Sequence, residues 1–422
     1  MRPALLAVAL AIAASAPAHA LTIACGQVFD AESAKLLGPH LIEVKDGRIA
    51  ALKPGKPARG SEFVDHSGQV CLPGLIDLHT HISNMEAGGA RYAEGYRLNP
   101  GDYALRGALN ARKTLRAGFT TIRDLGDTDG ASIAVRNAIN EGIAEGPRIY
   151  TAGKSIATTG GHADPTNGTR RSLAGKPGPR EGVINSADEA YAAVRYRYKE
   201  GADLIKITAT GGVLSYAKNG MNPQFSQEEA NAIVAAAKDY GFSVAAHAHG
   251  KEGIRRAILA GVTSIEHGSY MDAELYPLMQ EHGTWLVPTL LAGAWVGSKA
   301  DELPPIVAAK ARTIGPLLAK NFKRAIDAGV KIAFGTDTGV SPHGQNAKEF
   351  KLMVDAGMPA HLAIQSATRN AAEVLGLSAD IGSLAPGHYA DIVVVAGDPI
   401  ADVTVLERPV TTYKEGVAYP PL

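Results

Sequence analysis

Between residues 71 and 377, short apolar runs alternate with helical patterns, and that alternation narrows the possible folds more than any other feature. The runs fall at 74–78, 119–122, 148–151, 203–209, 242–246, 262–265, 285–290 and 330–335. Each has the length and apolar character of a strand buried on both faces. Helical stretches lie between several of them. Ser226-Gln227-Glu228-Glu229 opens one with a capping signal, and Ala230 to Tyr240 continues it. Strands and helices in this order and over this length predict an α/β architecture, a (β/α)8 barrel. The competing arrangement is an open doubly wound sheet. It is disfavoured because nothing like G-x-G-x-x-G follows the first strand.

The two ends of the chain differ from the middle. Residues 21–70 read as short strands with tight turns, and Leu41-Ile42-Glu43-Val44 runs into the hairpin signal Lys45-Asp46-Gly47-Arg48. Residues 378–422 are similar, with the apolar run Asp391 to Val395 set between Pro386-Gly387 and Gly397-Asp398-Pro399. Together they are expected to form one small β-sandwich domain beside the 71–377 barrel. Residues 1–20 read as a secretory signal: Arg2, an apolar run from Leu5 to Ala16, then Ala18-His19-Ala20 as a small-x-small cleavage site. The mature protein is therefore expected to be exported, periplasmic or secreted. The apolar run is shorter than the ~20 residues that span a bilayer, and no later stretch is long enough, so no membrane association is expected. Lys plus Arg equals Asp plus Glu, at 42 each, which leaves no basic footprint for nucleic acid. Cys25 and Cys71 are the two cysteines. They either pair, in an oxidising compartment, or remain two buried thiols, and both readings stand.

Chemistry gathers at the strand ends, where barrel active sites form. The first strand ends in His79-Thr80-His81, and alternation points both imidazoles to one side. Lys206 sits inside an apolar run, Val244-Ala245-Ala246 leads to His247-Ala248-His249, Ser264-Ile265-Glu266 leads to His267, and Ala333-Phe334-Gly335-Thr336 leads to Asp337. Each residue has an ordinary explanation alone, as a snorkelling lysine, a bonded core histidine or a helix cap. Their recurrence at successive strand ends does not. There is no His-Glu-x-x-His, no Gly-x-Ser-x-Gly and no phosphate-binding loop.

These residues resemble the metal-dependent amidohydrolase superfamily. Thr159-Gly160-Gly161-His162, Thr210-Gly211-Gly212-Val213, Ala246 to Gly250, Gly335 to Gly339 and the tail Gly382 to Gly387 resemble its imidazolonepropionase-like and Xaa-Pro dipeptidase (prolidase) branch. The chain is also similar to exported members that split the amide of ochratoxin A. The resemblance implies two divalent metal ions, zinc favoured, with manganese or cobalt as substitutes. His79, His81 and Asp337 would bind one and His247 and His267 the other. Lys206, carboxylated by CO2, would bridge both, since a lysine ammonium beside two cations is disfavoured. It further implies a metal-acidified water attacking an amide carbonyl, with Asp337 as proton shuttle.

His162, His249 and Tyr216 are candidates to stabilise the oxyanion. His343 reads as a polar loop residue, and Arg170, Arg171 and Arg180 as a solvated basic loop, leaving the group that binds a substrate carboxylate unassigned. The expected substrate is a dipeptide or N-acyl amino acid with a free carboxylate. A cyclic amide, with one metal, is the alternative, and a non-catalytic scaffold is disfavoured because every ligand position is filled. Homo-oligomers, including octamers, are implied by the resemblance alone.

Overall fold

The computed structural model describes residues 21–216 and 219–422. Residues 1–20, expected from the sequence to be a secretory signal, lie outside the described residues. Two units stand side by side. In the first, Leu21–Asp30 (β1), His40–Lys45 (β2), Arg48–Pro54 (β3) and Val64–Pro73 (β4) pair with strands from the far end of the chain. The order is Val417–Tyr419, Thr411–Lys414, Ile392–Val395, β4, β1, β2, β3, with Lys35–Leu37 as a further partner of β1. The expected sandwich is thus one mixed sheet folded over on itself. Its edge at β3 meets residues 387–390, where Gly387 N–H donates to Ile49 O and Ile49 N–H donates to His388 O, both at 2.8 Å. Ile23, Ile42, Val44, Ile392 and Val394 fill the inside. Cys25 on β1 and Cys71 on β4 are joined there as a disulfide, which decides between the two readings of the cysteines.

The second unit is the barrel. Its strands are Leu75–Thr80 (β5), Phe119–Asp124 (β6), Arg148–Thr151 (β7), Ile205–Thr208 (β8), Val244–Ala248 (β9), Ser264–His267 (β10) and Trp285–Val287 (β11), parallel within each ladder. Residues 331–338 supply the eighth position. Leu286 N–H donates to Lys331 O at 2.9 Å on one side, and Asp337 N–H donates to His79 O at 2.7 Å on the other. Between β7 and β8 the gap is spanned by Asp203 N–H to Thr151 O, 2.7 Å, and Ile156 N–H to Lys206 O, 2.8 Å.

Period-2 alternation then sorts the side chains. Ile205, Ile207 and Ile265 pack outward into the main apolar core, whereas Lys206 and Glu266 turn toward the barrel axis. Helices cover the outside. Gln227–Asp239 (α1) begins with the expected capping box, Ser226 Oγ accepting from Glu229 N–H at 3.1 Å and Glu229 Oε2 from Ser226 N–H at 2.8 Å. Three more bear on the site: Leu290–Ser298 (α2), Pro305–Asp327 (α3) and Lys348–Asp355 (α4). Among the described residues no helix is long and apolar enough to cross a membrane.

The units join at Gly74, where β4 passes into β5. A Cβ there would stand 2.1 Å from Thr120 Oγ1 and 2.9 Å from Asp391 Cβ, so only glycine fits. Tyr389 fastens the same seam, its ring held between the guanidinium groups of Arg48 at 4.0 Å and Arg148 at 4.1 Å.

Candidate metal centre

The barrel strands bring His79, His81, Lys206, His247, His249, His267 and Asp337 to the wall of one cavity of about 270 Å³. Two groups have ligand atoms within 4.8 Å of one another: His79, His267 and Asp337, and His247, His249 and His267. His267 belongs to both. His81 joins through Asp337, its Nε2 lying 3.3 Å from Asp337 Oδ1. Lys206 Nζ lies 3.3 Å from His79 Nε2.

The hydrogen bonds behind these rings fix which nitrogen faces the cavity. His81 Nδ1 donates to Gly126 O at 2.7 Å, since a carbonyl only accepts. His79 Nδ1 donates to the Glu266 carboxylate at 2.8 Å, and that carboxylate is also held by Arg123 at 2.8 Å. His247 uses Nε2 to donate to Gly211 O at 3.1 Å. His267 Nδ1 stands 2.6 Å from Thr289 Oγ1, which itself donates to Pro288 O at 2.8 Å and so accepts from the ring. In every case the second nitrogen carries its lone pair inward. That is the arrangement of metal-binding histidines, whose outer N–H is anchored to fix the tautomer.

Electrostatics agree. Burial, with Lys206 adding to it, lowers His79 to about 4; burial takes His249 to about 4 as well and holds His247 and His267 well below the ordinary range. The rings are neutral at pH 7. Burial alone would raise the Asp337 carboxyl; the positive charge of His79, His81 and His267, when protonated, holds it far below the usual carboxylate range, and beside neutral rings a cation would have to supply that charge. Its buried Oδ1 has no hydrogen-bond partner and faces Nε2 of His81 and, at 3.6 Å, Nε2 of His79. Acceptor faces acceptor, and a cation between them removes the conflict. The residues present therefore fit a metal ion. Burial also pushes the Lys206 ammonium down to about 8, toward the neutral amine that CO2 requires.

His162 stacks on His247 at 4.3 Å between ring centroids. Its approach explains the Gly-Gly of the 210–213 segment, because a Cβ at Gly212 would lie 2.2 Å from the His162 ring. His162 lines the cavity, and its buried Nδ1 has no partner. His249 lines it too, with Nδ1 2.6 Å from Ser269 Oγ. Tyr216 does not line it; the ring is part-exposed and packs beside Gly168. His343 lies behind the site and donates Nε2–H to His81 O at 3.2 Å. Arg170, Arg171 and Arg180 are not among the lining residues, and among the described residues Lys206 is the one Lys or Arg there. Leu125, Val213, Val296, Ile314, Leu318 and Val340 give the rest of the lining its apolar character.

Sequence reasoning passed over Glu266 and Thr289. Alternation with Ser264 places Glu266 inside the barrel, where Ser264 Oγ donates to it at 2.5 Å. His267 would then point out, but its φ of +72° turns it back in. Asp337 is turned in the same way, with φ +59°. Such backbone is uncommon outside glycine and concentrates at functional sites.

A sequence profile of the Amidohydrolase family matches residues 70–418, and the chain belongs to that family. Its members generally use divalent metal ions, and the chain is a hydrolase acting on carbon–nitrogen bonds, amides included. Ochratoxinase of Aspergillus niger is 35% identical over 370 residues, covering 84% of this chain and 76% of that protein. The crystal structure of a Xaa-Pro dipeptidase with methionine bound in its active site is 46% identical, with a TM-score of 0.92 over 95% of this chain and 100% of that one. A prolidase complexed with N-methylphosphonate-L-proline is 30% identical, with a TM-score of 0.86 over 96% of this chain and 100% of that one.

Proposed function

We propose that the chain hydrolyses the amide bond of a dipeptide or an N-acyl amino acid with a free carboxylate, ochratoxin A included, at a pair of divalent metal ions, zinc by preference. The observation that carries this reading is the pair of ligand groups meeting at His267, with Asp337 Oδ1 unpartnered among inward lone pairs. His79, His81 and Asp337 would hold one ion, His247 and His267 the other, and the Lys206 carbamate would bridge them. When bound, the metals acidify a water and polarise the scissile carbonyl.

The protein's own groups do the rest. Asp337 takes the proton released as oxygen bonds to the carbonyl carbon, and passes it to the nitrogen as the C–N bond breaks. His162 and His249, both on the cavity wall, are the donors proposed for the oxyanion. The apolar wall from Leu125 to Val340 receives a hydrophobic side chain or ring. The named relatives, an ochratoxinase and a Xaa-Pro dipeptidase, support the substrate class. Export through residues 1–20 belongs to the same proposal and is supported by the Cys25–Cys71 disulfide, which suits an oxidising compartment.

Metal content tests the two-ion reading. Zinc-loaded protein grown with CO2 is expected to hold two ions per chain by atomic emission, and Lys206→Ala to lose at least one. One ion per chain in the unaltered protein, with no change in Lys206→Ala, would favour the single-metal cyclic-amide alternative.

A further inference from the structure

Behind His267, at the end of β10, a chain of contacts leads to a residue of helix α4. Its inward nitrogen is set by Nδ1–H donating to Thr289 Oγ1 at 2.6 Å. Thr289 sits directly before α2 with φ +52°, a conformation that a β-branched residue rarely adopts. Something must hold it. The carboxylate of Glu349, on α4, accepts from both Leu290 N–H at 2.8 Å and Leu291 N–H at 2.6 Å. Glu349 is fully buried. Burial raises the Glu349 carboxyl to about 8 against the two N–H groups, which pull it down; near neutral pH it grips α2 chiefly through its two oxygens rather than through charge. The same helix supplies Ala292, Gly293 and Val296 to the cavity wall.

We propose that Glu349 is a positioning residue. By gripping the first turn of α2 it keeps Thr289 in its left-handed conformation, and so keeps the lone pair of His267 aimed at the metal and the α2 wall set against the substrate. The proposal rests on the metal-site reading above. A carboxyl group is required because it sets an oxygen opposite each of the two N–H groups. An amide offers one oxygen, and its NH2 opposes the second N–H.

The test is zinc affinity of the full chain, by competition with a chelator, for Glu349→Gln, Thr289→Ala and the double variant. Loss of an outer hydrogen bond behind a metal ligand typically weakens binding by about 10–100-fold. Each single variant is expected in that range, and the double variant no weaker than the worse single, because both act through one contact. Glu349→Gln is also expected to raise KM more than Thr289→Ala, since only the former frees the α2 wall. If Glu349→Gln does not fold by circular dichroism, Glu349→Asp, which keeps both oxygens and shortens the reach, takes its place. Unchanged zinc affinity in the Glu349 variant, or losses that simply add in the double variant, would overturn the proposal. Zinc failing to bind the unaltered protein would remove the metal reading and this proposal together; zinc binding the unaltered and Glu349→Gln proteins equally would remove only this one.

Discussion

In the proposed mechanism Asp337 would have two duties that compete. As a ligand it would give electron density to a cation; as a proton shuttle it would have to accept and release a proton beside that cation. Asn at the same position keeps the shape and one coordinating oxygen but cannot carry the proton. Asp337→Asn is therefore expected to lower kcat by about 10²–10⁴-fold, the usual worth of a positioned acid–base group, when assayed at saturating zinc. Wild-type turnover in that variant would take the proton role away from Asp337. The residues gathered at the cavity were legible in the sequence because histidine, lysine and aspartate recur at strand ends, where chance placement is improbable. Their supports were not. Glu266 and Glu349 look like any other acids in sequence, and only the folded register shows that one lies behind His79 and the other at the start of α2. Tyr216 differs: its loop follows β8 as expected, but the ring is part-exposed beside Gly168 and does not line the cavity.

Elements show the same division. The apolar runs foretold the barrel strands because strands buried on both faces need continuous hydrophobic character. The eighth position was legible as an apolar run, yet it closes the barrel through a few bonds around 331–338 rather than a long ladder. Packing of α2 on α3 could not be read from the sequence, because it depends on close backbone approach. A Cβ on Gly293 would lie 2.5 Å from Leu318 Cδ1 and 3.3 Å from Gly315 Cα. Leu318 also lines the cavity. Gly293→Ala is expected to push the helices apart, raise KM more than it lowers kcat, and cost about 1–3 kcal/mol of stability, as overpacking does. Steady-state kinetics and a thermal melt on one preparation read both effects.

For the whole molecule, the disulfide and the buried histidines set stability. Cys25 and Cys71 are 46 residues apart, and closing a loop of that size is worth about 4 kcal/mol in the chain-entropy picture. A reducing agent should therefore lower the melting temperature, and Cys25→Ser should remove that sensitivity. The two strands that carry the cysteines were foreseeable, but their pairing was not, because β1 and β4 meet through a parallel register set far along the chain.

The buried imidazoles give a pH dependence. His79, His162, His247, His249, His267 and His343 all titrate below the ordinary 6.5, chiefly through burial. Below pH 6.5 the unfolded chain binds protons that the folded chain refuses, so stability falls as the pH falls. Burial works the opposite way on Asp77, Asp124 and Glu349, raised to about 6, 7 and 8, but these are three groups against six. Denaturant midpoints of metal-free protein should drop between pH 6.5 and about 4; a midpoint that rises on acidification would contradict the neutral histidine cluster.

The central claim is metal-dependent amide hydrolysis, and its most direct measurement is amino acid release by mass spectrometry from zinc-loaded mature protein. The substrates are Xaa-Pro dipeptides, other dipeptides, N-acyl amino acids and ochratoxin A, each with and without chelator. Release of one class of C-terminal residue, abolished by chelator and restored by zinc, is the predicted result. No release from any of them with metal bound, or release untouched by the chelator, would contradict the account.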